Sequence, residues 1–305
     1  MFSRTFDPTK DLNDLTGKVI IVTGANTGIG YFTVRHLVNR GAKVYLGSRS
    51  EERGKTAIEK LKQEGIGSGE VVLFLCDIGS PSSAKKAAED FMKWRPGWTS
   101  LVCFGRSYIV IWPLISVFHI GTFQLTTCLL PLLIKTSEEP NSDVRIVTVS
   151  SNVHANTKPV MNFKNLDEFK ADYAKDMLPS LSRYSVSKLA TILFSNALQR
   201  KLAPTSIICI TLHPGIVNTS LASHLSYPRI AGFLTWVFFK APDEGAYNTC
   251  FAAASPIVRE SADEFKGAYL VPVGKKVDTS PIAQKVDVQD DLWKTTEDYI
   301  HSLSL

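Results

Sequence analysis

The stretch KVIIVTGANTGIG, residues 18–30, decides the fold of this chain. Its first half is a run of β-branched residues that predicts a buried strand. Its second half places Gly24, Gly28 and Gly30 directly between that strand and a helical pattern. Glycines at such a point allow a tight turn and close approach of the backbone to a pyrophosphate, and the helix N-terminus supplies oriented N–H donors. The stretch predicts a cofactor-binding turn; the competing interpretation is a glycine-rich connection that binds no ligand.

Short apolar runs alternate with longer helical patterns along the rest of the chain. Strands are predicted at 18–24, 42–49, 70–77, 99–104, 144–151, 205–215 and 267–273. Helical patterns begin at Gly28, at Ser50 and at Pro81, and Ser50 is expected to cap the second of these helices. Nearly continuous apolar strands that alternate with helices are typical of a parallel sheet covered on both faces. The sequence therefore predicts an α/β fold, doubly wound, with about seven strands in a single domain over 1–305.

Composition excludes several classes of function. The net charge of +5 is modest, and its Lys and Arg residues are interleaved with acids, so no nucleic-acid partner is expected. The five cysteines show neither CxxC nor metal-ligand spacing, so no metal site is predicted and buried thiols in a reducing compartment are expected. The N-terminal residues lack the apolar stretch of a secretory signal. A cytoplasmic location is expected, with association to an intracellular membrane as the alternative.

Two apolar segments raise the question of membrane contact. Residues 107–134 contain no Asp, Glu, Lys or Arg and are long enough to cross a bilayer. Pro113, Pro131 and Gln124 interrupt them, however, which favours a buried core helix. A second apolar stretch, YPRIAGFLTWVFFK at 227–240, suits a lipophilic ligand, a peripheral membrane contact or a homodimer contact.

A third feature is the pair Tyr184 and Lys188 in SRYSVSKLATILFSNALQ, residues 182–199. Four residues make about one helical turn, so both side chains project from one face of the predicted helix. Leu189, Ile192 and Leu193 supply an apolar stripe. Taken alone, the pair is either catalytic or two polar residues of an ordinary amphipathic helix, since one such spacing is expected by chance in a chain of this composition.

The order of these motifs resembles the short-chain dehydrogenase/reductase family. The chain carries TGANTGIG at 23–30, VTVSS at 147–151, the Tyr-x-x-x-Lys pair and HPGIVNT at 213–219. Its end, DLWKTTEDYI, is similar to retinol-dehydrogenase-like and WW-domain-containing oxidoreductase-like members. The resemblance covers roughly 15–300. It implies a Rossmann-type sheet of strand order 3-2-1-4-5-6-7 and interconversion of an alcohol and a carbonyl with a nicotinamide cofactor.

The resemblance also implies three catalytic residues: Ser151, Tyr184 and Lys188. Tyrosine, with a pKa near 10, is a poor base near neutral pH. The Lys188 ammonium and the nicotinamide charge would favour its phenolate, so Tyr184 would exchange a proton with the substrate oxygen. Ser151 would hydrogen-bond that same oxygen, and Lys188 would also hold the nicotinamide ribose.

The end of the second strand bears on which cofactor is used. An acid there would bind the ribose 2′-hydroxyl of NAD, whereas this chain has Ser48 followed by Arg49. A guanidinium pairs with a phosphate, so NADP(H) is expected rather than NAD(H), unless Arg49 is only a solvated loop residue. The cofactor contacts implied by the resemblance are Gly24, Asn26, Thr27, Gly28, Ile29, Gly30, Ser48, Arg49, Asp77, Ile78, Tyr184, Lys188, Pro214, Gly215, Val217 and Thr219.

Segment 98–121 departs from the family pattern. After the fourth strand the family carries Asn-Ala-Gly, whereas this chain has Phe104 and Gly105, and Phe118 stands where the next helix would present an Asn. His119 is expected to be structural rather than a replacement relay. The leading function is NADP-dependent oxidoreduction of a lipophilic small molecule, with a substrate lid at 221–245. The alternative is a catalytically impaired cofactor-binding or protein-interaction module.

Overall fold

One eight-stranded sheet organises the structure, a computed structural model that describes residues 6–94, 100–103, 119–158, 161–171, 173–215 and 242–304. The strand order is β3-β2-β1-β4-β5-β6-β7-β8. The strands are β1 (Val19–Val22), β2 (Lys43–Ser48), β3 (Glu70–Leu75), β4 (Ser100–Cys103), β5 (Arg145–Val149), β6 (Ile208–Leu212), β7 (Tyr269–Val271) and β8 (Lys275–Val277).

The predicted α/β architecture and the order of the first seven strands are confirmed. All neighbours from β3 to β7 pair in parallel. The expectation of about seven strands was one short, because β8 adds an antiparallel edge to β7. Its three residues, Lys-Lys-Val, are exposed or partly exposed, so no apolar run marked this strand in the sequence.

Helices cover both faces of the sheet. In chain order they are α1 (Pro8–Asp11), α2 (Gly28–Val38), α3 (Glu51–Glu64), α4 (Pro81–Trp94), α5 (Gly121–Ser137), α6 (Asp167–Lys170), α7 (Pro179–Lys201), α8 (Pro242–Ala254), α9 (Pro256–Glu260), α10 (Ala262–Phe265) and α11 (Val286–Ser302). A 3₁₀ turn, Asn152–Asn156, follows β5. The predicted cap of α3 is confirmed, since the Ser50 side chain accepts a hydrogen bond from the Arg53 N–H.

Two separate apolar cores result from the alternation of side chains along the strands. Ile21 of β1 belongs to the core shared with α4, α5, α7 and α11. Its neighbour Ile20 belongs to the core on the opposite face, shared with α2, α3 and α8. The inner strands β1, β5 and β6 are therefore buried on both sides, which explains why they are continuous apolar runs in the sequence.

The strands are shorter than the apolar runs that predicted them. The run 205–215 forms strand only at Ile208–Leu212. Thr205 lies in a turn, where its hydroxyl donates to the Leu202 carbonyl. At the other end Pro214 cannot donate to a ladder and Gly215 has a φ of +95°, so the chain leaves the sheet. These local breaks determine where β6 begins and ends.

The buried-core interpretation of the charge-free segment holds for the part of it that the structure describes. Helix α5 begins at Gly121, where an added Cβ would lie 1.6 Å from the Ile78 carbonyl oxygen, so only glycine allows this close approach. His119 is buried, and its Nε2 lies 2.7 Å from Thr296 Oγ1 of α11. Because the Thr296 hydroxyl itself donates to the Leu292 carbonyl, His119 is the donor. This histidine fastens the C-terminal helix, as a structural residue would.

No helix among the described residues is both long and apolar enough to cross a membrane. Residues 104–118 lie outside the described residues, and they contain most of segment 98–121, which departs from the family pattern. Residues 216–241 also lie outside them and contain most of the predicted lid at 221–245.

Candidate active site

The glycine-rich turn leaves room above the N-terminus of α2. Gly24 and Gly28 both have a φ of +60°, a conformation that side chains other than glycine rarely adopt. A Cβ added to Gly28 would meet nothing within 4 Å, whereas one added to Gly30 would lie 2.8 Å from the Gly24 carbonyl oxygen. Gly28 thus keeps an open surface and Gly30 lets α2 pack directly on the turn. These are the two conditions that close approach of a pyrophosphate requires.

The first turn of α2 is available to a ligand. Thr27 is the exposed N-cap residue and its side chain makes no capping hydrogen bond. Asn26 and Ile29 beside it are partly buried. Because a helix N-terminus carries N–H groups without intrahelical partners, an anion is favoured here. The residues present therefore fit a dinucleotide pyrophosphate at this turn.

The two residues predicted to select the cofactor lie in different environments. Ser48 is buried, and its hydroxyl donates to the Ser50 carbonyl at 2.8 Å, so it shapes the turn that starts α3. Arg49 is exposed. It lies at the end of β2 and takes part in no ion pair among the described residues.

Asp77 and Ile78 follow β3 at the same edge of the sheet. The Asp77 carboxylate accepts a hydrogen bond from the Gly79 N–H at 2.9 Å, the arrangement of a turn that precedes a helix. Ile78 is buried and its carbonyl lies against Gly121. Asp77 therefore has a local structural role in the turn that precedes α4.

Lys188 lies buried between α7 and the end of β5. Its Nζ donates to the Val149 carbonyl at 2.9 Å. In the reverse direction the Ser150 hydroxyl donates to the Lys188 carbonyl at 2.8 Å. Ser150 is thus engaged with the helix backbone, whereas Ser151 is partly exposed and begins the 3₁₀ turn. The two adjacent serines therefore differ: Ser150 anchors the helix backbone, whereas Ser151 caps the 3₁₀ turn.

Tyr184 lies one turn before Lys188 on α7 and is partly buried. The Lys188 Nζ is 5.5 Å from the centre of the Tyr184 ring. Tyr184 also lies close enough to Tyr269 of β7 to raise that residue's pKa, beyond the larger effect of burial. The predicted trio Ser151, Tyr184 and Lys188 is therefore gathered at the carboxyl end of β5.

Burial controls the charge of this region. Desolvation lowers the pKa of Lys188 to about 7, far below the usual value for lysine. It also lowers the pKa of His213 to about 4, with smaller contributions from His154 and Lys188. An anionic cofactor near Lys188 would favour its charged form.

The turn after β6 contains Pro214 and Gly215, while Val217 and Thr219 lie outside the described residues. A fully buried amide that the sequence did not single out, Asn248 of α8, holds this turn. Its Nδ2 donates to the His213 carbonyl at 2.8 Å and its Oδ1 accepts from the Gly274 N–H at 2.8 Å. In the sequence, an asparagine among the mainly apolar residues of 245–254 was the feature that could have indicated this role.

A cavity of about 370 Å³ lies on another side of α7. Ser182 and Val186 line it, and helical geometry places both roughly opposite Tyr184. An ion pair between Lys158 and Asp176, 3.2 Å apart, lies along its wall. We therefore do not assign this cavity to the reacting substrate.

Sheet, turn and site define a dinucleotide-binding α/β protein, and comparisons specify the family. A sequence model of short chain dehydrogenases matches residues 18–97 and 171–229. A short-chain dehydrogenase/reductase of Armillaria gallica is 35% identical over 300 residues, covering 94% of this chain and 93% of that protein. Retinol dehydrogenase 14 of Mus musculus is 32% identical over 302 residues, covering 92% and 85%. A solved structure from Mycobacterium paratuberculosis has a TM-score of 0.69 at 26% identity, covering 97% and 98%.

The chain belongs to the short-chain dehydrogenase/reductase family. It is accordingly an oxidoreductase that acts on CH–OH groups and binds NAD(P). The family model leaves a gap between residues 97 and 171. That gap includes the predicted departure at 98–121.

The low pKa of Lys188 predicts a pH-dependent stability that Lys188→Met should remove. Lysine in an unfolded chain titrates near 10.4. Between pH 7 and that value the unfolded chain binds more protons than the folded one. The free energy of unfolding therefore decreases as pH falls toward 7. Relative to Lys188→Met, the wild-type free energy of unfolding should rise by about 1 kcal/mol per pH unit over this range.

Urea unfolding at pH 7, 8 and 9.5 measures this difference. Lys62→Met, at an exposed position of α3, is the matched control and should show no such relative change. Parallel stability curves for wild type and Lys188→Met would contradict the assignment of a buried, titrating Lys188.

Proposed function

We propose that this protein is an NADP(H)-dependent oxidoreductase that interconverts an alcohol and a carbonyl on a lipophilic small molecule. The observation that carries the proposal is the burial of Lys188 at the end of β5, with Tyr184 one turn away and Ser151 immediately beyond the strand. Burial of a lysine costs free energy because its charge loses contact with water, so a buried lysine indicates a functional role. We infer that this role is to stabilise the Tyr184 phenolate and to hold the cofactor.

The three side chains would divide the work of proton transfer. The nicotinamide, when bound, supplies or accepts the hydride. Tyr184 gives its hydroxyl proton to a carbonyl oxygen, or takes one from an alcohol. Charged Lys188 lowers the cost of the Tyr184 phenolate, and Ser151 donates a hydrogen bond to the reacting oxygen.

Preference for NADP(H) rests on Arg49. Its guanidinium is exposed beside the buried Ser48 at the end of β2, where Ser48 stands in place of an acid that would repel a 2′-phosphate. Arginine pairs with phosphate through two parallel N–H donors. The proposed cofactor contacts are the residues around the glycine turn, this arginine, Asp77 and the Pro214–Gly215 turn.

A lipophilic substrate is supported by the residues that would enclose it. The stretch 227–240 carries five aromatic side chains besides its Leu, Ile and Val. One relative, retinol dehydrogenase 14 of Mus musculus, is named for a lipophilic alcohol. Free buried thiols such as Cys209 and Cys250 fit a reducing compartment, so we place the enzyme in the cytoplasm or against an intracellular membrane.

A second candidate is a cofactor-binding or interaction module with impaired catalysis. The departure at 98–121 and the gap in the family match at the same place favour it. The intact trio favours the enzyme. Turnover separates the two, because a module would bind NADPH without reducing any carbonyl compound.

The cofactor proposal predicts that Arg49→Ala weakens NADPH binding selectively. Loss of one ion pair to the 2′-phosphate should lower the NADPH-over-NADH preference by about 1–3 kcal/mol, or roughly 5- to 150-fold. Fluorescence titration of both reduced cofactors measures it, with Lys62→Ala as the control for loss of a distant positive charge. An unchanged preference in Arg49→Ala would remove the residue from this role.

The catalytic proposal predicts that Tyr184→Phe loses turnover and retains the cofactor. Removal of a general acid–base group should lower kcat by about 10²–10⁴-fold, whereas NADPH affinity should change less than about twofold because the ring remains. Reduction of retinaldehyde and of medium-chain aldehydes, followed at 340 nm, measures kcat.

Tyr299→Phe, on α11, is the matched control for the same chemical change away from the site. Substantial activity in Tyr184→Phe would refute its role. No activity in the wild type over the whole panel, with NADPH binding intact, would favour the module.

A further inference from the structure

His154, in the 3₁₀ turn after Ser151, is held at both ring nitrogens. It is buried, with only 4% of its surface exposed. Its Nδ1 lies 2.8 Å from the Ser151 carbonyl oxygen. Its Nε2 lies 3.1 Å from the backbone nitrogen of Ser280, in the segment after β8. The imidazole therefore connects the residue that begins the turn with a segment far along the chain.

These two partners allow one protonation state only. The Ser280 N–H can only donate, so Nε2 must carry its lone pair. The Ser151 carbonyl can only accept, so the proton lies on Nδ1. A protonated imidazole would set one N–H against another. Independently, burial lowers the pKa of His154, which also favours the neutral ring. The ring is a fixed neutral bridge rather than a proton donor to substrate.

The bridge acts on the backbone of Ser151. That carbonyl accepts two hydrogen bonds from His154, one from Nδ1 and one from the backbone N–H at 3.1 Å. Among the described residues, the Ser151 hydroxyl accepts one long hydrogen bond, from the Val153 N–H at 3.5 Å. The backbone of Ser151 is fixed while its hydroxyl proton is left to donate elsewhere.

Tyr269 of β7 braces the same turn. Its ring meets the His154 ring edge to face, with centres 5.1 Å apart. Its hydroxyl donates to Asn152 Oδ1 at 2.9 Å. Asn152 and His154, on both sides of Val153, are therefore tied to β7, and a shift of the turn would break these contacts.

We propose that His154 is a positioning residue, which holds the Ser151 backbone so that its hydroxyl points to the reacting oxygen. The proposal rests on the proposed function, since it assigns Ser151 a substrate contact. The N–H at Nδ1 donates to the Ser151 carbonyl and so fixes the backbone of Ser151. The lone pair at Nε2 accepts from the Ser280 N–H and so holds the ring in place.

Two variants separate the two halves of the bridge. In His154→Asn the side-chain amide replaces Nδ1 and retains the donor to Ser151, but it is too short to reach Ser280. In His154→Gln the longer side chain offers an acceptor to Ser280 and gives up the donor position at Nδ1. His154→Ala removes both.

We expect kcat to fall by about 10- to 100-fold in His154→Gln and in His154→Ala, because small misplacement of a reacting contact has effects of this size. His154→Asn should recover kcat to within about threefold of wild type. KM and NADPH affinity should change less than about threefold in all three. Equal kcat in the Asn and Gln variants, or losses that follow thermal stability alone, would overturn the proposal.

Hydrogen exchange read by mass spectrometry tests the bridge without turnover. Exchange in peptides covering 151–157 should be faster in His154→Gln than in His154→Asn, and exchange at Ser280 should show the reverse order. If the wild type reduces no compound in the panel, the proposed function fails, but this exchange pattern still supports the bridge that His154 forms between Ser151 and Ser280. Equal exchange in the two variants would show that His154 does not form this bridge.

Discussion

Two opposed hydrogen bonds between β5 and α7 hold the candidate site together. The Ser150 hydroxyl donates to the Lys188 carbonyl, and the Lys188 ammonium group donates to the Val149 carbonyl. All of these groups are buried, so loss of either side chain would leave polar atoms unpaired at a cost of about 1–3 kcal/mol. The pair fixes the position of α7 along the end of the strand. Tyr184, which lies one helical turn before Lys188, is thereby positioned near the carboxyl end of β5.

Local patterns were enough to predict most of the sheet and the shape of the cofactor turn. The apolar runs at β1, β5 and β6 are long because both faces of these strands are buried. Gly24, Gly28 and Gly30 were recognisable because their backbone angles and close packing are needs of the turn itself. Tyr184 and Lys188 were recognisable only together with the motifs around them, since one polar pair on a helix has several explanations.

Contacts between distant parts of the chain could not be predicted in the same way. His154 meets Ser280, and Asn248 meets His213 and Gly274, through hydrogen bonds that no local spacing encodes. His36 of α2 similarly meets Asp243 at the start of α8, with 2.8 Å between Nε2 and Oδ1. Such bonds depend on which strands become neighbours, and β8 itself carried no apolar signal. The fold was therefore more predictable than the supports of its site.

Transfer of a labelled hydride tests the central claim most directly. NADPH deuterated at nicotinamide C4, prepared separately as each of its two stereoisomers, is incubated with the full chain and retinaldehyde, and the alcohol product is analysed by mass spectrometry. We expect one deuterium in the product from one stereoisomer and none from the other, because a single bound orientation presents one face of the ring. Bound NADPH with no deuterium in the product from either isomer would contradict the assignment of an active oxidoreductase on such a substrate.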